Sequence, residues 1–267
     1  MLQSPDHRGS PAHANSPGPI SRRGFLALAG LGAAWGCGAS TGIGPSSAAA
    51  GRLEVARGQK PAGTLHPGEQ RLQLDGGRNG ILYVPQGYQQ GRAAPVAVML
   101  HGAGGNAGGM AFTHRLGDEF GVIILAPESR GGTWDVILGG FGPDVEFITR
   151  AMNDLFARAD VDPARVAVGG FSDGASYALS LGLGNGDLFT HLIAFSPGFV
   201  ARATRRGKPR IFVSHGDADE VLPIDRTSRR IVPDLRAEGY DVTYREFAGP
   251  HSVPDPIARE AFGWFVA

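Results

Sequence analysis

The chain has 267 residues, 42% of them hydrophobic and 19% charged, and its 25 basic and 25 acidic side chains cancel in charge. This composition excludes a fibrous or wholly disordered chain, and the balanced charge argues against nucleic acid or an acidic membrane surface as partner. We therefore expect one globular domain with a sizeable core and a small or neutral partner molecule.

The first fifty residues differ in kind from the rest. A polar, proline-rich leader precedes the segment SRRGFLALAGLGAAWGCGAS, in which Arg22, Arg23, Phe25 and Leu26 match the S-R-R-x-F-L core of a twin-arginine export signal. The apolar run is too short and too rich in glycine for a membrane span, and the small residues of SSAAAG suit a signal peptidase. The segment resembles such a signal, so we predict a twin-arginine-type signal peptide over residues 1–50. The expected protein is exported by the twin-arginine machinery and works in the periplasm or outside the cell.

Cys37 is the one cysteine of the sequence and lies inside the predicted signal. Cleavage after Ala50 would leave a mature chain without a thiol or a disulfide. Because Gly36 precedes Cys37 as in a lipoprotein signal, a lipid anchor at Cys37 is the alternative, although Ala34 and Trp35 fit that pattern poorly.

The mature chain begins with an irregular segment and a hairpin. Residues 51–68 are rich in glycine, proline and alanine and predict a flexible linker or extended arm. The stretch QRLQLDGGRNGILYVPQGY then predicts two antiparallel strands, because Asn-Gly favours the positive φ angles of a tight turn.

Residues 69–267 alternate between strands and helices. The continuous apolar runs PVAVMLHG and GVIILAPE are typical of strands buried on both faces, and DPARVAVGGF, LIAFSP, RIFVSHG and DVTYREFAG predict four more strands. Helices are predicted in GMAFTHRLGDEFG, in GPDVEFITRAMNDLFARAD, after Ser172, around SRRIVPDLRAEG and at the C terminus. This alternation predicts a single α/β domain with a doubly wound, mostly parallel sheet, whose chemistry collects at the carboxyl ends of the strands.

The motif GGFSDG follows one of these strands and opens a helix. Gly170 and Gly174 flank Ser172 two residues to either side, where a sharp strand-to-helix turn leaves no room for side chains. The following helix directs its free N–H groups at any anion that forms there. In this context Ser172 is a candidate nucleophile, whereas the G-x-S-x-G pattern alone also occurs by chance in a chain with 42 glycines.

A serine nucleophile needs a base and a carboxylate that orients the base. His251, in AGPHSVP, is the best candidate base because it lies in a loop between the last strand and the last helix; a surface loop histidine is the alternative. The loop HGDADEVLP offers Asp217, Asp219 and Glu220 as the acid. From the residues alone the three are not separable, and we favour Asp219 with Asp217 as runner-up.

These motifs resemble secreted carboxylesterases and polyhydroxyalkanoate-depolymerase-like esterases of the α/β-hydrolase superfamily, over residues 69 to 267. The resemblance implies an α/β-hydrolase fold and a serine carboxylic-ester hydrolase without a cofactor, acting through an acyl-enzyme. It assigns Ser172, His251 and Asp219 to the triad, although Leu222 replaces the usual valine before Pro223. It also implies an oxyanion hole from the backbone N–H of Ala103, or its neighbour Gly104, and of Asp173.

Substrate selection is less well defined by the sequence. Only about ten residues, GFVARATRRG, occupy the position where many hydrolases insert a cap, so we expect no sizeable cap domain and an open site for a small or polymeric ester. Trp134, Phe171 and Phe199 follow strand ends and are predicted to line a substrate pocket; core packing is the alternative for these aromatics. No metal-ligand spacing is evident.

Two other function classes remain open at this stage. Gly102, Gly104 and Ala107 form a G-x-G-x-x-A pattern after a buried strand, with Glu128 where a ribose-binding acid would fall, as in a dinucleotide-binding oxidoreductase. That interpretation leaves the serine, aspartate and histidine loops unexplained. A non-catalytic binding module on a hydrolase fold is the third class, although no triad residue is missing.

Overall fold

The structure is a computed structural model that describes residues 46–58 and 60–267. The predicted export signal, including Arg22, Arg23 and Cys37, lies outside the described residues except for positions 46–50, which form a turn. Within the described part of the chain, no helix combines the length and the apolar character that a membrane crossing requires.

One eight-stranded sheet forms the centre of the domain, in the order β1-β2-β4-β3-β5-β6-β7-β8. β1 and β2 form the predicted antiparallel pair, β2 is also antiparallel to β4, and β3 to β8 are parallel to one another. The doubly wound, mostly parallel sheet is thereby confirmed. The predicted tight Asn-Gly turn is wrong: residues 72–79 join the two strands, and Asn79 has no positive φ because its side chain accepts the N–H groups of Leu74 and Asp75 within this loop. In chain order the strands are β1 Gly68–Arg71, β2 Gly80–Val84, β3 Ala94–Leu100, β4 Ile123–Pro127, β5 Val161–Phe171, β6 His191–Phe195, β7 Arg210–Gly216 and β8 Val242–Phe247.

Helices cover both faces of the sheet, since a parallel strand must bury both rows of its side chains. Val96 and Val98 of β3 belong to one buried cluster with α2, α3 and α4, whereas Ala97 and Met99 belong to a second with α1 and α5. Short 3-10 helices lie at Ala107–Thr113, Asp135–Leu138 and Ile224–Arg226. The α-helices are α1 His114–Phe120, α2 Pro143–Phe156, α3 Asp173–Gly184, α4 Ser228–Ala237 and α5 Asp255–Val266.

The described residues before β1 form an arm packed on the domain. They contain no helix or strand, but Leu53 and Leu65 are 4% and 3% exposed. Asn185, just after α3, accepts the Leu53 N–H at 3.0 Å and donates to Gly51 O at 2.8 Å, and Arg52 forms a two-pronged ion pair with Asp187. These distant partners hold residues 51–53, as expected for the extended-arm alternative.

The stretch between β6 and β7, where a cap could be inserted, follows α3 instead. The N–H of Gly198 donates to Ser176 Oγ and that of Ala201 to Ser180 Oγ, each at 2.8 Å, while the N–H of Arg206 donates to Leu183 O at 2.9 Å. The described residues therefore contain no separate cap domain, as predicted, and nothing inserted at this position covers the carboxyl ends of the strands.

Candidate active site

Ser172 occupies a strained turn between β5 and α3. Its φ of 59° and ψ of −120° lie in a region that residues other than glycine rarely adopt, and such strain is characteristic of a serine on a nucleophile elbow. The turn is possible because its flanking residues lack side chains. A Cβ on Gly174 would lie 2.1 Å from Leu100 O, and a Cβ on Gly170 would lie 2.6 Å from Gly174 O. The predicted need for both glycines is confirmed.

The loop that carries His251 lies directly against the loop that carries Asp219. The N–H of Asp217 donates to Phe247 O and that of Ala218 to Gly249 O, which continues the β7–β8 pairing into both loops. Gly216 permits this approach, since a Cβ there would lie 2.3 Å from Gly249 O. The two chain segments therefore meet beyond the carboxyl ends of β7 and β8.

His251 Nδ1 lies 2.6 Å from Asp219 Oδ2 in a side-chain hydrogen bond. A carboxylate oxygen can only accept, so Nδ1 carries the hydrogen and Nε2 of the neutral ring is left as an acceptor. Asp219 exposes 0% of its side chain, and its other oxygen accepts the N–H groups of Val221 and Leu222 at 2.9 and 2.8 Å. Asp217 is exposed and accepts the Gly249 N–H. The structure thus brings Asp219, and not Asp217, to His251.

His251 also lies beside the turn that carries Ser172. Its ring centroid is 4.6 Å from that of Phe171, the residue before the serine, at an interplanar angle of 34°. A direct Ser172–His251 hydrogen bond is not among the contacts of the described residues. Such bonds are often long in the absence of substrate and tighten in the complex.

The backbone N–H groups of Ala103 and Asp173, near Ser172, have no acceptor among the described residues. Asp173 is the first residue of α3, where the helix leaves its N–H groups free and carries a partial positive charge. The N–H of Gly104, the alternative donor, is engaged by Gly132 O at 2.7 Å. Of the two donors left open by the sequence, only Ala103 has an available N–H.

The Asp173 side chain, for which the sequence offers no role, accepts a hydrogen bond from Thr133 Oγ1 at 2.6 Å. Thr133 lies in the loop between β4 and α2, which we call the 129–142 loop. Asp144 anchors this loop by accepting hydrogen bonds from the backbone N–H groups of Arg130 and Asp135. Burial raises the pKa of the Asp144 carboxyl, although these hydrogen bonds lower it in part. The sequence analysis did not identify Thr133 or Asp144. The signal available for Asp144 was the pair of acidic residues in the first turn of α2, Asp144 and Glu146.

Trp134 is a core residue, which corrects its predicted place in the substrate pocket. It is 0% exposed, its indole stacks on Tyr177 with ring centroids 5.1 Å apart, and its Nε1–H donates to His101 O at 2.8 Å. The His101 ring donates from Nδ1 to Gly102 O at 2.8 Å and accepts the Ser129 N–H at Nε2. Burial lowers the pKa of His101, with the Gly102 carbonyl opposing. The side chains of Trp134 and His101 therefore hold the start of the loop that carries Ala103.

Phe171 and Phe199 are half-buried, and a role of either in substrate binding stays a prediction. A cavity of about 670 Å³ lies elsewhere, among residues near the amino ends of β3 and β5 that include Ala93 and Val161. This is the opposite edge of the sheet from Ser172, and we assign that cavity no part in the site.

The glycine-rich loop after β3 does not have the contacts expected of a dinucleotide-binding loop. Gly104 uses its N–H within the protein, and the chain after Ala107 forms a 3-10 helix instead of the α-helix that would face a pyrophosphate. Glu128 contacts the N–H of Ala107 at 3.4 Å. These contacts disfavour a nucleotide at this loop. Within residues 46–58 and 60–267, no three His, Cys, Asp or Glu side chains converge as metal ligands would.

The known proteins to which this chain is similar include esterases. No protein-family model matches the chain. The chain is 26% identical to "Putative esterase NocK" of Nocardia uniformis subsp. tsuyamanensis over 193 residues, 60% of this chain and 56% of the relative. It is 26% identical to feruloyl esterase C of Emericella nidulans over 158 residues, 56% and 57% of the two chains. The crystal structure of esterase PE8 superposes with a TM-score of 0.58 at 24% identity, covering 70% of this chain and 97% of that one.

The chain has the α/β-hydrolase fold. The predicted resemblance to esterases of the α/β-hydrolase superfamily is thereby confirmed. This hydrolase-fold chain spans little more than half the length of the curated relatives it matches.

Proposed function

We propose that the protein is a serine carboxylic-ester hydrolase that works through an acyl-enzyme. The observation that carries the proposal is the 2.6 Å hydrogen bond from His251 Nδ1 to buried Asp219, in a loop beside the strained turn of Ser172. This bond leaves His251 Nε2 free to accept a proton. The order serine, aspartate, histidine along the chain is that of α/β-hydrolases.

In the proposed reaction, Ser172 Oγ attacks the ester carbonyl carbon while its proton moves to His251 Nε2. The oxyanion accepts hydrogen bonds from the N–H groups of Ala103 and Asp173, a stabilisation worth about 3 kcal/mol per donor in comparable sites. The alcohol leaves with the proton from His251. Water, deprotonated by His251, then attacks the acyl carbon, and His251 returns the proton to Ser172 Oγ as the bond to the serine breaks and the carboxylic acid is released. His251 must be neutral to accept a proton, so we expect activity to fall on acidification.

The Ser172→Ala variant tests this proposal. It should lose hydrolysis of aryl, short-chain, long-chain, polymeric and feruloyl esters and also lose labelling by a fluorophosphonate, while its thermal unfolding stays that of the wild type. Ser180→Ala is the matched control, since its hydroxyl on the same helix contacts the backbone of Ser176 and Ala201. An unlabelled wild-type protein, or a Ser172→Ala variant with substantial turnover, would contradict the proposal.

We further propose that the protein is exported through the twin-arginine pathway, on the match of Arg22, Arg23, Phe25 and Leu26 to that signal. Replacing both arginines by lysine should leave an unprocessed precursor in the cytoplasm, whereas the unaltered chain is recovered outside it. Cell fractionation measures the location. The mass of the mature chain separates cleavage after Ala50 from a lipid at Cys37. Equal export of both chains would refute the pathway.

A further inference from the structure

A second histidine, His215, contacts the same carboxylate as His251 and has no part in the reaction proposed above. It is the penultimate residue of β7, and its side chain is 0% exposed. Its Nε2 lies 3.1 Å from Asp219 Oδ2, the oxygen that accepts the hydrogen bond from His251. Two imidazoles therefore face one carboxylate oxygen, one from the solvent side and one from the core.

The hydrogen bonds of His215 define its state. Nε2 lies 2.8 Å from Leu222 O, which can only accept, so Nε2 carries a hydrogen directed at this carbonyl with the carboxylate oxygen alongside. Nδ1 then accepts a hydrogen bond from the hydroxyl of Ser228, the first residue of α4, at a distance of 2.7 Å. Burial lowers the pKa of His215, although the Leu222 carbonyl and the Asp219 carboxylate oppose this effect. His215 is thus a neutral donor.

The Leu222 peptide links His215 to Asp219 a second time. Its carbonyl accepts from His215, and its N–H donates to Asp219 Oδ1 at 2.8 Å. Glu246, the neighbour of His215 in register on β8, pairs with Arg229 of α4 at 2.7 Å, and Arg229 also pairs with Asp225. Because Glu246 is engaged by Arg229, the Asp219 carboxylate and the His251 ring are the groups on which His215 acts.

We propose that His215 is a positioning residue that fixes the Asp219 carboxylate and limits how strongly that carboxylate attracts a proton on His251. The proposal rests on the function proposed above, to which it adds a fourth residue. The Nε2–H group, hydrogen-bonded to Leu222 O, also lies 3.1 Å from Oδ2 and stabilises the negative charge on the oxygen that faces His251. The Leu222 peptide, held by His215, keeps the carboxylate from rotating. His215 lies behind Asp219, so we expect an effect on kcat with little effect on KM.

The test replaces His215 by phenylalanine, which keeps an aromatic ring without a donor, and by glutamine, whose amide nitrogen can reach the position of Nε2. His215→Phe should lower kcat about 10- to 100-fold, because the buried Leu222 carbonyl loses its donor and the Asp219 carboxylate loses a neighbouring N–H group. KM should stay within about threefold. His215→Gln should recover most of the loss. Ser228→Ala, which keeps the imidazole, is the milder variant and should lower kcat by a smaller factor.

A second measurement does not depend on turnover. In NMR titrations of histidine-labelled protein, the midpoint of the His251 imidazole should move to higher pH in His215→Phe, because the nearby Nε2–H group no longer stabilises the negative charge on Oδ2. His191→Gln is the matched control, since it alters a buried histidine at the opposite edge of the sheet and should not move this midpoint.

The outcomes separate the two proposals. An unmoved His251 midpoint in His215→Phe, or a kcat within twofold of the wild type in folded His215→Phe, overturns the role of His215. If His215→Phe does not fold, the Ser228→Ala variant decides instead: an unchanged kcat and an unmoved His251 midpoint in that variant also overturn the role of His215. A wild-type protein that neither hydrolyses esters nor reacts with a fluorophosphonate overturns the proposed function, while the NMR titration still decides the role of His215.

Discussion

Asp217 and Asp219 differ in what surrounds them, although two positions separate them in the chain. Both oxygens of Asp219 are engaged, by two backbone N–H groups and by His251. Burial raises the pKa of Asp219, but the hydrogen bonds from Leu222 and His251 outweigh burial and hold that pKa below its usual value. The carboxylate is therefore charged at neutral pH, as orientation of an imidazolium requires.

This contrast predicts unequal effects of the same substitution at the two sites. Asp219→Asn should lower kcat by about 10³- to 10⁴-fold, because an amide cannot stabilise an imidazolium and favours the wrong tautomer of His251. Asp217→Asn should stay close to the wild type, since Asp217 is exposed and contacts the backbone of Gly249. Steady-state hydrolysis of an aryl ester by both variants is the measurement. Equal losses would mean that the acid has been assigned wrongly.

At the scale of elements, β6 meets α5 through a histidine that stays neutral. His191 begins β6 and lies edge-to-face against Trp264 and Phe265 of α5, with ring centroids 5.1 and 5.2 Å away. Burial, together with the positive charge of Arg210, lowers the pKa of His191 to about 4. The contact between strand and helix therefore depends on an uncharged ring.

This burial predicts a loss of stability in mild acid. An unfolded histidine takes up a proton near pH 6.5, whereas the folded His191 resists protonation down to about pH 4, so the unfolded state binds more protons between these values. The unfolding free energy should therefore be at its full value above about pH 6.5 and fall towards pH 4. His191→Gln should remove about 2 kcal/mol of the decrease between pH 7 and pH 5, as measured by urea unfolding. Identical slopes for both proteins would disprove the neutral His191.

The regular elements could be predicted from the sequence because their signals are local. Apolar runs predicted the strands, and helical spacing of apolar residues predicted α2. The 129–142 loop could not be predicted, because Thr133 acquires its role only from Asp173, forty positions away. Trp134 was misplaced for the same reason: its position after a strand end suggested a pocket, but its indole turns inwards to His101 O. The triad candidates were found because glycine and proline punctuate their loops.

At the scale of the whole molecule, the arm before β1 shows where sequence reasoning fails. Its composition is that of a linker, yet its partners lie more than 130 positions away, at Asn185 and Asp187. Asn185 is 0% exposed, and its side-chain amide forms hydrogen bonds with the backbone of Gly51, Leu53 and Leu181. A buried amide is retained only when it is hydrogen-bonded, so the arm and the end of α3 satisfy each other. Such a mutual contact leaves no local pattern.

The packed arm predicts that neighbouring substitutions in it will differ sharply in cost. Leu53→Ala should lower the unfolding free energy by about 2 to 4 kcal/mol, because Leu53 is 4% exposed and its loss leaves a cavity beneath the arm. Glu54→Ala is the matched control and should change it by about 0.5 kcal/mol or less, since Glu54 is exposed. Denaturant unfolding of the two full-length variants beside the wild type measures both values. If Leu53→Ala unfolds at the same denaturant concentration as Glu54→Ala, the arm contributes no packing to the domain and the flexible-linker interpretation is restored.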